Sequence, residues 1–113
     1  MMTSIDFMVA DIEQFKSPYV EGMAVTVELS KKLERIYNIF HDKFLSLENE
    51  ARADEQLSYA LFSFDTALEA FSIVAKNMVR LGKTNSTDIV GVYYEYQDNY
   101  MSFRHLLYQR ETK

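Results

Sequence analysis

The sequence predicts an all-α protein: an antiparallel bundle of three long helices, with coiled-coil-like packing and a short amphipathic helix at the N-terminus. Three stretches carry apolar residues alternately three and four positions apart, the spacing of helices that pack along their length. The 113 residues include only 3 Gly and 1 Pro, fewer turn formers than a β-rich fold needs. We call the apolar stripes seams; they comprise Leu33, Tyr37, Phe40, Phe44 and Leu47, then Leu57, Leu61, Phe64, Leu68, Phe71, Ala75 and Met78, and finally Ile89, Tyr93, Tyr96, Tyr100, Phe103 and Leu107.

The first half of the chain predicts two helices. Residues 5–16 place Ile5, Met8, Val9, Ile12 and Phe15 on one face, and Ser4 can cap this helix. Pro18 ends it and suits the first turn of a second helix, predicted over 18–48. The start of that helix is the weaker part, because Gly22 and the β-branched residues 25–27 lower its helix propensity. Its early seam consists of Val20, Met23 and Val27.

The second half predicts two more helices within the same single domain, residues 1–113. Residues 48–56 contain no large apolar side chain, and the seam changes phase across them. Either the chain turns there, with Asp54 capping the next helix, or one helix continues with a solvated middle; the phase change favours the turn. The third helix is predicted over 54–81, ended by Gly82, and the fourth over 88–111, capped by Ser86 or Thr87.

Composition and motifs argue against catalysis and against metal or cofactor binding. The net charge of −5 argues against nucleic acid as a partner, and there is no cysteine for a disulfide or a thiolate metal site. His41 and His105 lie in no metal-binding motif, no glycine-rich phosphate loop is present, and Glu48 and Glu50 fall in a stretch expected to be solvated. We predict no enzyme activity, no metal and no cofactor. No stretch approaches about 20 uninterrupted apolar residues, and acidic residues interrupt the N-terminal one, so we expect a cytoplasmic protein.

Two features could support binding. Two small basic clusters could contact an anionic membrane, although helix solubility explains them equally well; they are Lys31, Lys32 and Arg35, and Lys76, Arg80 and Lys83. The seams could pack within one chain or between the chains of a homo- or heterodimer. For this role the candidates are Leu57, Leu61, Phe64, Leu68, Phe71, Tyr93, Tyr96, Tyr100, Phe103 and Leu107.

Several short motifs resemble a known family. Tyr93-Tyr94 precedes an amphipathic stretch that ends in His105-Leu106-Leu107-Tyr108-Gln109-Arg110, and Gln56-Leu57-Ser58-Tyr59-Ala60-Leu61 follows a polar stretch. Together with Phe15-Lys16-x-x-Tyr19-Val20, they make residues 12–113 similar to the N-terminal part of the BAR domain of PX-BAR-type sorting nexins. The resemblance implies a curved dimer that associates with endosomal membrane in cargo sorting. A BAR domain is longer, its last helix and a PX region have no counterpart here, and its basic face would be thin in a chain of net charge −5.

A second interpretation stays open. A small soluble helical protein that binds another protein, such as an adaptor, an inhibitor or a WXG100-like secreted protein, has the same sequence statistics. Tyr94 and Asp98 form the YxxxD element of the WXG100 class, but the chain has no tryptophan for its hairpin motif. We therefore expect a non-enzymatic interaction module, either BAR-like and membrane-associated or a protein-binding partner with no membrane role.

Overall fold

The structure, a computed structural model, describes residues 3–111, with side chains up to residue 110. Within this range it has four α-helices and no strand: α1 (Ser4–Asp11), α2 (Val27–Ala51), α3 (Glu55–Arg80) and α4 (Thr87–Glu111). A 3₁₀ turn, Ile12–Phe15, continues from α1. The all-α prediction is confirmed, and the helices pack against one another in a molecule whose longest dimension is 46 Å.

The predicted turns between the long helices are confirmed. The carboxylate of Asp54 accepts a hydrogen bond from the Leu57 amide (3.1 Å) and caps α3, as predicted. Gly82 ends α3 with a φ of 71°, a left-handed conformation that glycine adopts without strain. At the start of α4, the Ser86 hydroxyl accepts a hydrogen bond from the Asp88 amide (3.0 Å).

The prediction that the second helix starts at residue 18 is wrong, because α2 begins at Val27. Residues Val20 and Gly22 lie in a turn closed by a hydrogen bond from the Met23 amide to the Val20 carbonyl (2.9 Å), with Gly22 at a φ of 89°. The Thr26 hydroxyl then caps α2 by accepting a hydrogen bond from the Leu29 amide.

Within residues 17–27, the buried side chains are also not the predicted ones. Tyr19 and Val25 are buried, whereas the predicted seam residues Val20, Met23 and Val27 are all exposed. The β-branched residues 25–27 and Gly22 lower the helix propensity of this segment, so little free energy is lost when it is not helical. The irregular path also lets the buried Tyr19 ring pack against Phe71 and Tyr93.

The N-terminal helix is shorter than predicted and is capped by Thr3 rather than by Ser4. The Thr3 hydroxyl accepts a hydrogen bond from the Asp6 amide, and the Asp6 carboxylate accepts one from the Thr3 amide. Four residues of the predicted apolar face are buried (Ile5, Met8, Ile12 and Phe15), and Val9 is partly buried. The backbone ends as a 3₁₀ turn at Phe15, whose carbonyl accepts a hydrogen bond from the Tyr96 hydroxyl.

Glu50 is not a solvated residue, contrary to the prediction. Helix α2 extends to Ala51, and the Glu50 carboxylate accepts hydrogen bonds from the amides of Ser4 (2.9 Å) and Ile5 (3.1 Å) at the start of α1. Burial alone would raise the pKa of Glu50, but these hydrogen bonds outweigh it and hold the pKa below its usual value. This carboxylate therefore anchors α1 to the end of α2.

The core forms where the seams meet. Every predicted seam residue of α3 and α4 is buried, as are Leu33, Phe40 and Leu47 of α2; Tyr37 and Phe44 are partly buried. Phe64 lies at the centre, with the rings of Phe40, Tyr96 and Phe103 between 4.7 and 5.3 Å from its own. The seams, including the three seam tyrosines of α4, thus pack against their own chain.

Candidate functional site

The structure brings the two predicted basic clusters to one end of the molecule. The Lys76 Nζ lies 4.0 Å from the Glu34 Oε1, so the cluster on the last turns of α3 lies beside the cluster on the first turns of α2. The loop after α3 is held there by a hydrogen bond from the Val25 amide to the Thr84 carbonyl (2.8 Å). We call this region the basic end; its cations are Lys31, Lys32, Arg35, Lys76, Arg80 and Lys83.

Most of these cations keep their charge uncompensated. All six are exposed. Lys32 lies 3.7 Å from Glu28, and Lys76 lies 4.0 Å from Glu34. The other four have no carboxylate within ion-pair distance among the described residues. Exposed pairs such as these two contribute little to stability and break easily, so the whole set can serve an external anion.

Apolar side chains are exposed at the same end. Val20 and Met23 flank the turn at Gly22, Val27 begins α2, and Leu81 precedes Gly82; between 43% and 65% of each side chain is exposed. Val20, Met23 and Val27 were expected in the core, so this surface could not be anticipated from the seam pattern. Lone exposed apolar residues are ordinary, but apolar loop residues set among cations are typical of surfaces that enter a lipid headgroup layer.

A small recess beside the basic end adds one further cation, Lys16, to two that are already part of it. It has a volume of about 180 Å³ and is lined by Gln14, Lys16, Pro18, Lys32, Arg35 and Ile36. Lys16 was not among the predicted candidates, because it lies before α2 in the sequence and only the fold brings it to Lys32 and Arg35. Two ammonium groups and a guanidinium around a recess of this size suit a phosphate group.

The opposite end of α3 carries exposed aromatic side chains that the sequence analysis did not single out. Tyr59 is 75% exposed and Phe62 is 62% exposed. Tyr59 borders two grooves, one of about 670 Å³ between α2 and α3 and one of about 520 Å³ between α3 and α4. Tyr59 and Phe62 lie three positions apart, an ordinary spacing on a helix. Only the packing shows that these two aromatic side chains of α3 lie outside the core.

The polar side chains between α2 and α3 join the helices. The Tyr37 hydroxyl donates a hydrogen bond to Glu69 (2.9 Å), and the His41 Nδ1 lies 3.4 Å from the Asp65 Oδ1. Burial, and then the neighbouring Glu69, raise the pKa of Tyr37 to about 12. Among the described residues, no three side chains of His, Cys, Asp or Glu are grouped as a metal site.

Helix α3 is long and apolar enough to cross a bilayer by length and composition. Half of its most apolar window is buried among the other helices, as in the core helix of a soluble protein. This helix therefore gives only weak evidence of a membrane span.

Comparison of the chain with protein-family models, curated proteins and solved structures finds no match.

Proposed function

We propose that this protein is a non-enzymatic helical interaction module that associates with anionic membrane surfaces through its basic end. We propose further that the three long helices form an antiparallel bundle. Tyr37 contacts Glu69 and His41 contacts Asp65, so residues later in α2 contact residues earlier in α3. The observation that carries the proposal is the meeting of six exposed cations and four exposed apolar residues at one end.

The electrostatic attraction is large enough to matter. Each cation near an anionic bilayer contributes about 1 kcal/mol, so the four unpaired cations supply about 4 kcal/mol, roughly a thousandfold in partitioning. The apolar side chains of Val20, Met23 and Leu81 add their burial among the headgroups.

The net charge of −5 does not cancel this attraction. Six of the 17 carboxylates lie on α1, the C-terminal half of α2 and the first turn of α3, which the hydrogen bonds between α1 and Glu50 hold together. Four others lie at the basic end, namely Glu21, Glu28, Glu34 and Asp88. Salt screens exposed charges beyond about 8–10 Å, whereas the molecule is 46 Å long. A membrane at the basic end therefore meets six cations against these four carboxylates, a local surplus of positive charge.

The resemblance to sorting-nexin BAR domains makes a more specific proposal. It is a BAR-like homo- or heterodimer on curved endosomal membrane that takes part in cargo sorting. Because the seams are buried within one chain, such a dimer would join through other surfaces unless the helices open. Light-scattering mass measured with and without small vesicles tests this form: a dimer that prefers small vesicles supports it, and a monomer indifferent to vesicle size contradicts it.

Co-sedimentation with vesicles tests the general proposal. We expect the protein to pellet with vesicles that contain roughly one third phosphatidylserine, not with phosphatidylcholine alone, and less as salt is raised. A triple variant of the basic end, Lys31→Glu, Arg80→Glu and Lys83→Glu, should abolish the binding.

The matched control reverses three cations elsewhere, Lys43→Glu, Arg52→Glu and Arg110→Glu, and changes the net charge equally. We expect this control to keep most of the binding. If both triple variants lose binding equally, only net charge acts and the basic end has no special role. If the wild-type protein ignores anionic vesicles, the proposal is wrong, and the protein-binding partner with no membrane role becomes the better interpretation.

A further inference from the structure

We propose that the recess lined by Lys16, Lys32 and Arg35 is a binding site for a phosphate monoester. It lies beside the basic end, where the segment that follows the 3₁₀ turn packs against the first half of α2. The phosphate is carried either by a lipid headgroup, in which case the inference rests on the proposed membrane association, or by a soluble molecule.

The recess matches a phosphate monoester in size and in charge. Its volume of about 180 Å³ is the room of about six water molecules, enough for a phosphate group. A phosphate monoester carries a charge of about −1.5 to −2 near pH 7 and has three strong acceptor oxygens. The planar guanidinium of Arg35 can bind two of these oxygens, and the two ammonium groups donate to the remaining acceptor positions. Pro18 and Ile36 give the recess apolar walls, so water screens its charges less than at an open surface.

Other common anions satisfy the recess less well. A carboxylate or a phosphodiester has two anionic oxygens and a single negative charge, so part of the positive charge of the three cations stays unmatched. Nucleic acid backbones and phosphatidylserine carry diesters. The recess therefore adds selectivity to the basic end, whose general attraction acts on any anionic surface.

The cations of the recess are not already neutralised by the described part of the chain. Of the three, only Lys32 has a described carboxylate within ion-pair distance, that of Glu28 at 3.7 Å. This pair is exposed, so it contributes little and breaks easily. Glu13, which precedes Lys16 in the 3₁₀ turn, pairs instead with Arg104 of α4 (2.9 Å).

The backbone around Lys16 is held by buried aromatic side chains on both sides. Phe15 is fully buried and packs against rings of α2 and α3, and Tyr19 packs against rings of α3 and α4. Lys32 and Arg35 lie three positions apart and therefore on one face of α2. Because packing fixes both walls, the recess exists before a ligand arrives, which lowers the entropy that binding costs.

Both ends of the described chain lie away from the recess. Glu50, which binds the Ser4 amide, follows Arg35 by fifteen positions on α2, about 22 Å along the helix axis. The charge of Arg110 acts on Asp6, in the first turn of α1. The recess is thus formed by packed segments in the interior of the chain.

Vesicle co-sedimentation tests the lipid source. Phosphatidic acid carries a phosphate monoester and phosphatidylserine a diester, and the two vesicle preparations are matched in zeta potential. We expect the wild type to partition about fivefold more strongly onto phosphatidic acid, the ratio that one additional paired charge gives. Lys16→Gln should bring this ratio close to one. The matched control, Lys31→Gln, removes an exposed lysine outside the recess and should weaken binding to both kinds of vesicle while keeping the ratio.

Nuclear magnetic resonance with soluble probes tests the site without a membrane. We expect glycerol 3-phosphate at millimolar concentration to shift the amide resonances of Lys16 and Arg35, and the diester glycerophosphocholine to cause no comparable shift. Lys16→Gln should abolish the effect of glycerol 3-phosphate. Lys16 is exposed, so this variant should keep its helical circular dichroism.

The two measurements separate this inference from the membrane proposal. A preference for phosphatidic acid that depends on Lys16 supports the lipid source. Resonance shifts that depend on Lys16, in a protein that ignores vesicles, support the recess with a soluble source. Equal binding to both kinds of vesicle without resonance shifts overturns the inference and leaves the membrane proposal standing. A preference that Lys16→Gln leaves unchanged, or that Lys31→Gln removes to the same extent, also overturns the inference.

Discussion

Phe64 and Phe62 lie two positions apart on α3, and we expect opposite outcomes for their replacement by alanine. Phe64 is fully buried and has five aromatic rings within 6.3 Å, whereas Phe62 is 62% exposed. Removing a fully buried phenylalanine costs about 3–5 kcal/mol, through lost apolar transfer and the cavity left behind. The number of ring contacts places Phe64→Ala in the upper half of that range.

Urea unfolding followed by circular dichroism measures this difference. With a dependence of about 1–3 kcal/mol per molar urea for a protein of this size, a loss of about 4 kcal/mol lowers the midpoint by roughly 1–4 M. That is a large part of the 5–15 kcal/mol that typically holds a domain together. We expect Phe62→Ala to change the free energy of unfolding by no more than about 0.5 kcal/mol.

The pair controls for residue type, helix and helix propensity. If Phe62→Ala costs as much as Phe64→Ala, the register of α3 is wrong and with it the assignment of the seam to the core. If Phe64→Ala leaves the midpoint unchanged, Phe64 is not buried, which refutes the packing argument directly.

Three further predictions concern the connections between the helices. The hydrogen bonds from α1 hold the pKa of Glu50 below its usual value despite its burial. The ionised Glu50 therefore stabilises the fold at pH values above its pKa in the unfolded chain, and this stabilisation is lost as the pH falls through its pKa in the folded protein. The wild type should therefore lose more stability than Glu50→Gln between about pH 6 and pH 3, in urea titrations at each pH; equal losses would contradict the anchoring role. Tyr96→Phe leaves the Phe15 carbonyl without its buried donor, and calorimetry should show a loss of about 1–3 kcal/mol, whereas an unchanged melting temperature would contradict this contact. Gly82→Ala should cost about 1 kcal/mol because of its left-handed φ, while Gly91→Ala, inside α4 with open space around its Cα, should gain about 1 kcal/mol; shifts of the same sign would contradict these assignments.

Helical periodicity predicted the parts of the fold where one stripe is long and uninterrupted. Every residue named in the seams of α3 and α4 is buried. The residue types at the two ends of α3 predicted its cap at Asp54 and its end at Gly82. These features depend on neighbours within one or two helical turns, which the sequence displays directly.

Residues 17–27 show where that approach fails. The spacing of Val20, Met23 and Val27 fits a helix, but an irregular path that buries Tyr19 and Val25 fits the same residues. The choice depends on the ring packing of Tyr19 against α3 and α4, which lies far along the chain. Local pattern carries no information about such contacts.

The candidate sites divide in the same way. The six cations of the basic end were visible in the sequence as two separate clusters, but their union depends on contacts such as Lys76 with Glu34, 42 positions apart. Lys16 joins them only through the recess beside α2. Tyr59 was quoted in a family motif, yet its exposure beside two grooves follows from packing alone.

Fluorophores attached at the two ends of the molecule test whether the basic end is the part that meets the membrane. The chain contains no cysteine, so Leu81→Cys at the basic end and Leu45→Cys near the other end of α2 each provide one attachment site for an environment-sensitive dye. Both leucines are exposed, so neither label disturbs the core. On adding anionic vesicles, we expect the emission at position 81 to shift to the blue and to be quenched by quenchers carried on the lipid, with no change at position 45. Equal shifts at both positions, or none at position 81, would contradict docking through the basic end.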